Sequence, residues 1–336
     1  MLDRMADKFD GLVAFFSGYG FIYSPVYLAT SLAIAMLYAI VVRPGAGLMG
    51  YLFPSETYRH PSTRADLSIA SANLLFVGLG GFAFIVLTPL VAGAVMLTLT
   101  DPTGFDAAAE LSFGWGALLV VLLVLTEDFA RYAVHRAHHA LPAIWPFHAV
   151  HHSAEVLTPI TFFRAHPMYY LLQHCLISVL AGASQGFVVA VAFGRVPGWV
   201  FFAAVLVSRA YFALGVHLRH SHVPLGYGRA IEHLLISPRQ HQVHHSIEPR
   251  HYDTNFGEIF AIWDWLFGTL YIPVKDEVFE FGLIDADGER IQPHPTLRAA
   301  MLVPFAESAR ALRGSRRLPE DKLEQELERD RERGPA

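Results

Sequence analysis

The sequence predicts an all-α integral membrane protein with about four transmembrane helices, and three observations carry that expectation. Of 336 residues, 53% are hydrophobic and only 16% are charged, against roughly 25% charged in an average soluble domain. A chain this apolar has too little polar surface to cover a soluble monomer of its size. The apolar residues also gather into runs of span length, and the charges between those runs give the spans a direction.

Taken in order, residues 21–42 form the first run. It matches the roughly 20 apolar residues a helix needs to cross a hydrocarbon core. Residues 1–10, which precede it, mix both charge signs and do not read as the basic start of a signal peptide. Residues 67–99 exceed one span and contain Gly78, Gly80, Gly81, Pro89 and Gly93. That composition predicts a kinked helix, or a span with an appended segment. Residues 113–125 are shorter but continue through Thr126 to Phe129. Residues 169–193 and 199–216 form a pair, of which the second is the weaker span because it carries Arg209. Arg43, Arg59 and Arg64 lie between the first two runs. The next loop holds Asp101, Asp106 and Glu110 without Lys or Arg, and Arg131 and Arg136 follow the third run. By the positive-inside rule the arginine loops face the cytoplasm, and every histidine cluster falls on that side.

The net charge of −5 suggests neither nucleic-acid binding nor a polybasic anchor. Cys175 is the one cysteine, so intrachain disulfides and thiolate metal clusters are excluded. The chain from residue 308 on is dense in Arg, Glu and Asp, which predicts a solvated helix or a disordered end.

Histidine is the outlier: fifteen of the eighteen fall between His135 and His245. They form three clusters, His135-Arg-Ala-His138-His139, His148-Ala-Val-His151-His152 and His241-Gln-Val-His244-His245. Residues three or four apart share one helix face. His135 and His139 therefore point one way, as do His148, His151 and His152, and His241, His244 and His245. Eight imidazoles exceed what one ion takes, so the pattern implies two metals, with iron, zinc, copper and nickel all suited to imidazole. His217-Leu-Arg-His220-Ser-His222 lies between the second and third clusters. A zinc protease needs Glu after the first histidine, but Arg136, Ala149 and Gln242 stand there. His138 lies off the His135/His139 face. His174 reads as a satisfied polar group within an apolar run, and His60, His251 and His294 as surface or interfacial residues. Asp128, Glu155, Asp253 and Asp264 are candidates to orient ligating imidazoles through their second nitrogen. Arg136 and Arg239 lie beside ligands, where they hold carboxylates, lipid headgroups or ordinary salt bridges.

Four stretches resemble the fatty acid hydroxylase/sterol desaturase superfamily of membrane histidine-box proteins. They are Asp128-Phe-Ala-Arg-Tyr-Ala-Val-His135-Arg-Ala-His-His139; Trp145-Pro-Phe-His148-Ala-Val-His151-His152-Ser153; Arg164-Ala-His166-Pro167; and Ser237-Pro-Arg-Gln-His241-Gln-Val-His244-His245-Ser246. Asn255-Phe-Gly257 and Trp263-Asp264-Trp-Leu-Phe-Gly268-Thr269 follow the last. The resemblance covers about residues 126–272, and the ending is most similar to alkylglycerol monooxygenase-like and bacterial sterol-desaturase-like members. It implies a four-helix membrane base under a cytosolic helical cap holding a histidine-rich di-metal site. It divides the chain into N-terminal transmembrane helices (1–125), a histidine-box catalytic domain with a transmembrane hairpin at about 169–216 (126–275), and a C-terminal extension (276–336).

The resemblance further implies two Fe ions, with Zn able to replace them in purified protein, and O2 as co-substrate. The expected reaction is hydroxylation or desaturation of a lipid drawn from the bilayer. The implied ligands are His135, His139, His148, His151, His152, His241, His244 and His245, with one more between the second and third boxes. The family's H-S-N-like element maps to His220-Ser221-His222, with His222 where Asn is usual; that departure leaves His217, His220 and His222 open for the place, of which His220 is favoured. His138, His166, His217 and His222 join the carboxylates as candidates for contact with the ligands. No dinucleotide, flavin or haem motif is present, so electrons come from a separate donor that is cytochrome b5-like, ferredoxin-like or a pterin. The competing functions are a zinc-dependent membrane hydrolase, a non-catalytic metal-binding protein such as a transporter, and a degenerate scaffold. Boxes placed after the spans rather than inside them disfavour transport, and intact boxes disfavour the scaffold.

Overall fold

The computed structural model describes residues 25–43, 45, 47–79, 87–99, 112–190, 196–274 and 276–314. Asp101, Asp106 and Glu110, part of the first apolar run and the charged tail beyond residue 314 lie outside the described residues. The regular secondary structure is almost wholly helical: α1 (Pro25–Val42), α2 (Leu48–Leu52), α3 (Ser55–Tyr58), α4 (Pro61–Gly78), α5 (Leu87–Leu99), α6 (Phe113–Ala140), α7 (Trp145–His152), α8 (Pro167–Val188), α9 (Gly198–Phe212), α10 (Pro238–His244), α11 (Ile262–Leu266) and α12 (Leu297–Leu312). Its one two-stranded sheet pairs β1 (Leu283–Ile284) with β2 (Arg290–Ile291), Leu283 opposite Ile291.

Among the described residues three helices, α1, α6 and α8, are long and apolar enough to cross a membrane, and α5 and α9 are shorter apolar helices. The long apolar run of residues 67–99 divides into α4, which starts at Pro61 and carries Arg64 and Asp66, and the 13-residue α5. Leu37, Leu75, Leu90 and Leu97 face outward on these helices, as side chains do where the solvent is lipid.

Small residues let the apolar helices approach closely. Gly182 and Gly186 of α8 form a G-x-x-x-G pair against α5. A Cβ at Gly182 would stand 2.7 Å from the Thr88 carbonyl oxygen, and one at Gly186 would stand 2.5 Å from that of Ala92. The hydroxyls of Thr88 and Ser178 bond across the same contact at 2.9 Å. This is the packing that membrane helices use where apolar burial gives no driving force between them.

At one end of the bundle α6 outlasts the membrane run and carries its last turns into a cap built from α7, α10 and α11. Asp128, fully buried on α6, accepts from the backbone N–H of Ile259 and Phe260 and from Trp263 Nε1 at 2.9–3.0 Å. The 255–269 loop is thereby fixed to the helix that carries the first histidines.

Candidate metal centre

Two of the histidine helices, α7 and α10, are short and need local support, since short isolated helices are marginal in water. Ser237 and Gln240 close a reciprocal capping box on α10, with Pro238 in the first turn. Gln242 Nε2 reaches the carbonyl oxygens of Leu218, Ser221 and Val223 at 2.9–3.1 Å, tying α10 to the turn that carries His220. Asn255, at φ 55°, donates to the Gln240 and Tyr271 carbonyls and accepts from the Tyr271 N–H. Asn is among the few residues that take this left-handed conformation readily. Gly257 leaves room for Asp264: a Cβ there would sit 2.8 Å from Asp264 Oδ2 and 2.6 Å from the Phe260 carbonyl oxygen.

The three boxes converge into two groups of nitrogens. His135, His139, His148, His152 and His244 make one, and His151, His220, His241 and His245 make the other; within each, the donor atoms lie within 4.8 Å of one another. Among the described residues no carboxylate or cysteine joins either group. Of the three candidates between the second and third boxes, His220 lies in the second group. His217 packs against Phe162 and Phe163, and His222 Nε2 bonds to the Tyr51 carbonyl oxygen at 2.6 Å.

The boxes do not map one to one onto the groups. On α7, His148 and His152 face the first group and His151 the second. On α10 and its C-cap the division reverses, with His241 and His245 in the second group and His244 in the first. The second and third boxes therefore each serve both groups, which corrects the expectation that each of them presents a single face, while His135 and His139 of the first box do share one group.

Backbone carbonyls fix the tautomers. A carbonyl can only accept, so His135 Nδ1–H donates to Phe256 O (2.9 Å), His151 Nδ1–H to Arg164 O (3.0 Å) and His244 Nδ1–H to Thr254 O (2.8 Å). In each neutral ring the Nε2 lone pair is left for the group. Burial holds His148, His152, His220, His241, His244 and His245 well below the usual histidine range and pushes His151 down to about 3. Neutral imidazole is the form that ligates metal.

Hydrogen bonds alone do not satisfy these groups. His220 Nε2 lies 2.9, 3.0 and 3.1 Å from Nε2 of His151, His245 and His241, yet carries at most one proton. His148 Nε2 stands 3.1 Å from Nε2 of both His135 and His152, and Nε2 of His139 and of His244 are buried without a partner. A cation satisfies all of them at once. Two donors about 2.1 Å from one ion stand about 3.0 Å apart at a right angle and about 3.4 Å apart at the tetrahedral angle. The observed spacings fit the right angle, and five donors in the first group exceed the four of a tetrahedral zinc site.

Two of the candidate carboxylates, Asp264 and Asp128, act one step further out than expected. Asp264 accepts from the N–H of Phe256 and Gly257 and from the Thr269 hydroxyl, and so fixes the segment whose carbonyl orients His135. Burial raises Asp264 to about 6. Asp128 holds backbone and an indole, as described above. Asp253 is 3.9 Å from His139 Nδ1, with its side chain 76% exposed. Glu155 shows its backbone bond to Ser62 Oγ and no imidazole contact. His138 bonds back to the Val134 carbonyl, and His166 caps α8. Arg136 reaches the Tyr132 hydroxyl, and Arg239 reaches the Val274 and Glu277 carbonyls. His251 and His294, expected at the surface, are buried.

Arg164 is a positioning residue that the sequence showed only as part of a motif. Fully buried, it pairs with Asp66 at 2.8 Å and donates to the carbonyls of Val150 and His294 and to the Ser153 hydroxyl, while its own carbonyl orients His151. Asp66 lies near the start of α4, outside the histidine-rich stretch, and no spacing rule links the two residues.

Residues 120–269 match the fatty acid hydroxylase family. The family stretch contains both groups of histidines, whereas Asp66 and His294, which hold Arg164, lie outside it. The chain is similar to the ornithine lipid hydroxylase OlsE of Rhizobium tropici, at 31% identity over 50% of this chain and 46% of that protein. It is similar to the alkylglycerol monooxygenase of Danio rerio, at 30% identity over 48% of this chain and 32% of that protein. It also resembles the very-long-chain aldehyde decarbonylase GL1-1 of Oryza sativa subsp. indica, at 31% identity over 46% of this chain and 24% of that protein. The aligned part thus spans less than half the length of each of these relatives. No solved structure matches.

Proposed function

We propose that the protein is a membrane-bound di-iron oxygenase that hydroxylates a lipid. The observation that carries this reading is the pair of nitrogen-only groups, nine imidazoles of which all but the partly buried His139 are buried, with convergent lone pairs, at the end of an apolar helical bundle. Dioxygen chemistry suits it because an all-nitrogen donor set with right-angle spacings leaves coordination positions open. The relatives named as a lipid hydroxylase and a monooxygenase favour hydroxylation over desaturation.

In this reading His135, His139, His148, His152 and His244 hold one iron, and His151, His220, His241 and His245 hold the other. Bound there, the irons supply the dioxygen activation and C–H cleavage that side chains alone do not. The balance is one lipid C–H, O2, two electrons and two protons giving C–OH and water, with the electrons delivered by a separate one-electron carrier or a pterin. The Phe256, Arg164 and Thr254 carbonyls keep His135, His151 and His244 in the ligating tautomer. Phe256 and Trp145 pack against the first group and exclude water from it. The Arg43–Arg64 loop and the boxes face the cytoplasm, and the lipid enters sideways from the bilayer.

The test is isotopic. Lipids extracted from cells expressing the protein under 18O2 should contain species heavier by one 18O atom that are absent with the His151→Ala variant. Label that arrives from water instead would favour the zinc hydrolase and exclude this reading.

A further inference from the structure

We infer that α12 is an interfacial helix whose outer face rests in the lipid surface beside the spans. Its two faces differ sharply. Ala300, Val303 and Pro304 are buried, and Ala300 packs with Ile69 of α4 and Val150 of α7, the residue between His148 and His151. On the opposite face Leu302, Phe305 and Leu312 are 47%, 49% and 75% exposed. Three- and seven-residue spacing puts them in one stripe. Exposed Arg298 and Arg313 stand at the two ends of that stripe.

Four contacts set the height of the helix. His166 Nε2, from the residue that caps candidate span α8, donates to the Met301 carbonyl at 3.1 Å. The Phe305 ring lies 5.1 Å from that of His166 and 5.2 Å from that of Phe147. Ser308 Oγ donates to the Ala143 carbonyl at 2.6 Å, just past the end of candidate span α6. The helix thus lies across the cap-side ends of two spans, where the hydrocarbon core meets the headgroups. Leu141, 51% exposed beside Ala143, extends the apolar stripe toward α6.

A bilayer surface is the occupant that suits this face. The stripe continues the apolar surface of the spans, and an arginine at each end matches anionic headgroups while its stem lies along acyl chain. Because the inner face packs on Val150, the lipid contact also bears on the helix that serves both groups of histidines.

Spin labels test this in the full-length protein, in nanodiscs of phosphatidylcholine with phosphatidylglycerol. Leu302→Cys and Phe305→Cys would each be labelled in a Cys175→Ser background. Leu37→Cys on α1 serves as the lipid-facing reference and Asp287→Cys as the aqueous one. The expected result is preferential relaxation by O2 over a water-soluble nickel chelate, with the same sign as at Leu37. Preference for the chelate, as at Asp287, would overturn the inference. So would protection from both reagents, which would mean that a second copy or another protein segment covers the face. Arg298→Glu with Arg313→Glu should shift both labels toward chelate access in anionic discs and leave them unchanged in neutral discs. No shift in anionic discs would remove the arginines from the contact.

Discussion

The two groups of histidines differ in what they share and in what is their own. Both draw on α7 and α10, in opposite senses: two imidazoles from α7 and one from α10 in the first, one and two in the second. The first completes itself with His135 and His139 from α6, a candidate span, and the second with His220 from a single short turn. One group is therefore anchored in a long helix continuous with the bundle. The other depends on a turn held largely by Gln242 and by packing. A repeated H-x-x-H-H is thus a means of threading two sites through the same two helices rather than a site in itself.

The largest effects should come from ligand substitutions, and these can break the partition outright. If it is right, His151→Ala on α7 should resemble His241→Ala on α10, and His148→Ala should resemble His244→Ala. Mössbauer spectra of iron-57-enriched protein would report which environment is lost. Activity should fall below detection in all four. Spectra that sort by helix instead of by group would refute the crossed assignment.

Acidification comes next. Burial pushes His151 down to about 3 and His217 to about 4, from an ordinary 6.5. A group whose folded pKa lies below its unfolded value contributes stability that is whole above pH 6.5 and falls as protons bind the unfolded chain below it. Thermal melts of the metal-free protein should therefore show declining stability from pH 6.5 down to about 4. A flat profile over that window would contradict neutral, buried rings.

Asp264→Ala should act unequally on the two groups. It leaves the N–H of Phe256 and Gly257 without their acceptor, a cost of about 3 kcal/mol for a buried, charge-assisted pair. It also loosens the carbonyl that orients His135. Metal affinity of the first group should drop by about 10- to 100-fold with little change in the second, read by chelator competition. An equal loss from both groups would mean that Asp264 serves the cap as a whole.

The smallest effect should be at His217, which is fully buried with neither ring nitrogen bonded. Phenylalanine there should leave metal content unchanged and stabilise the protein by about 1 kcal/mol, since an apolar ring of similar shape removes an unmet polar cost. Loss of one metal ion per chain would instead make His217 a ligand of the second group.

Much of this was legible in the sequence because periodicity and composition are local. The apolar runs found α1, α6 and α8, and the histidine spacing placed rings on shared helix turns. The division of the second and third boxes between two groups was not legible, because rings at i, i+3 and i+4 fan over an arc wide enough to meet two partners. Only the placement of α6 and of the His220 turn decides which ring meets which. The supports of the site were hidden for a related reason. Backbone carbonyls orient the imidazoles, and any residue type can supply a carbonyl. The Arg164–Asp66 pair joins residues 98 positions apart. By contrast, the G-x-x-x-G of Gly182 and Gly186 is a local helix-packing signal, although only the fold shows that α5 is its partner.

The most direct test is the metal content of the full-length protein, purified in mild detergent from iron-supplemented cells and measured by elemental analysis beside a His151→Ala/His244→Ala variant. The account predicts about two irons per chain in the parent and their loss in the variant, which removes one ligand from each group. Zinc at full occupancy that iron supplementation does not displace, or no metal in the parent, would contradict it.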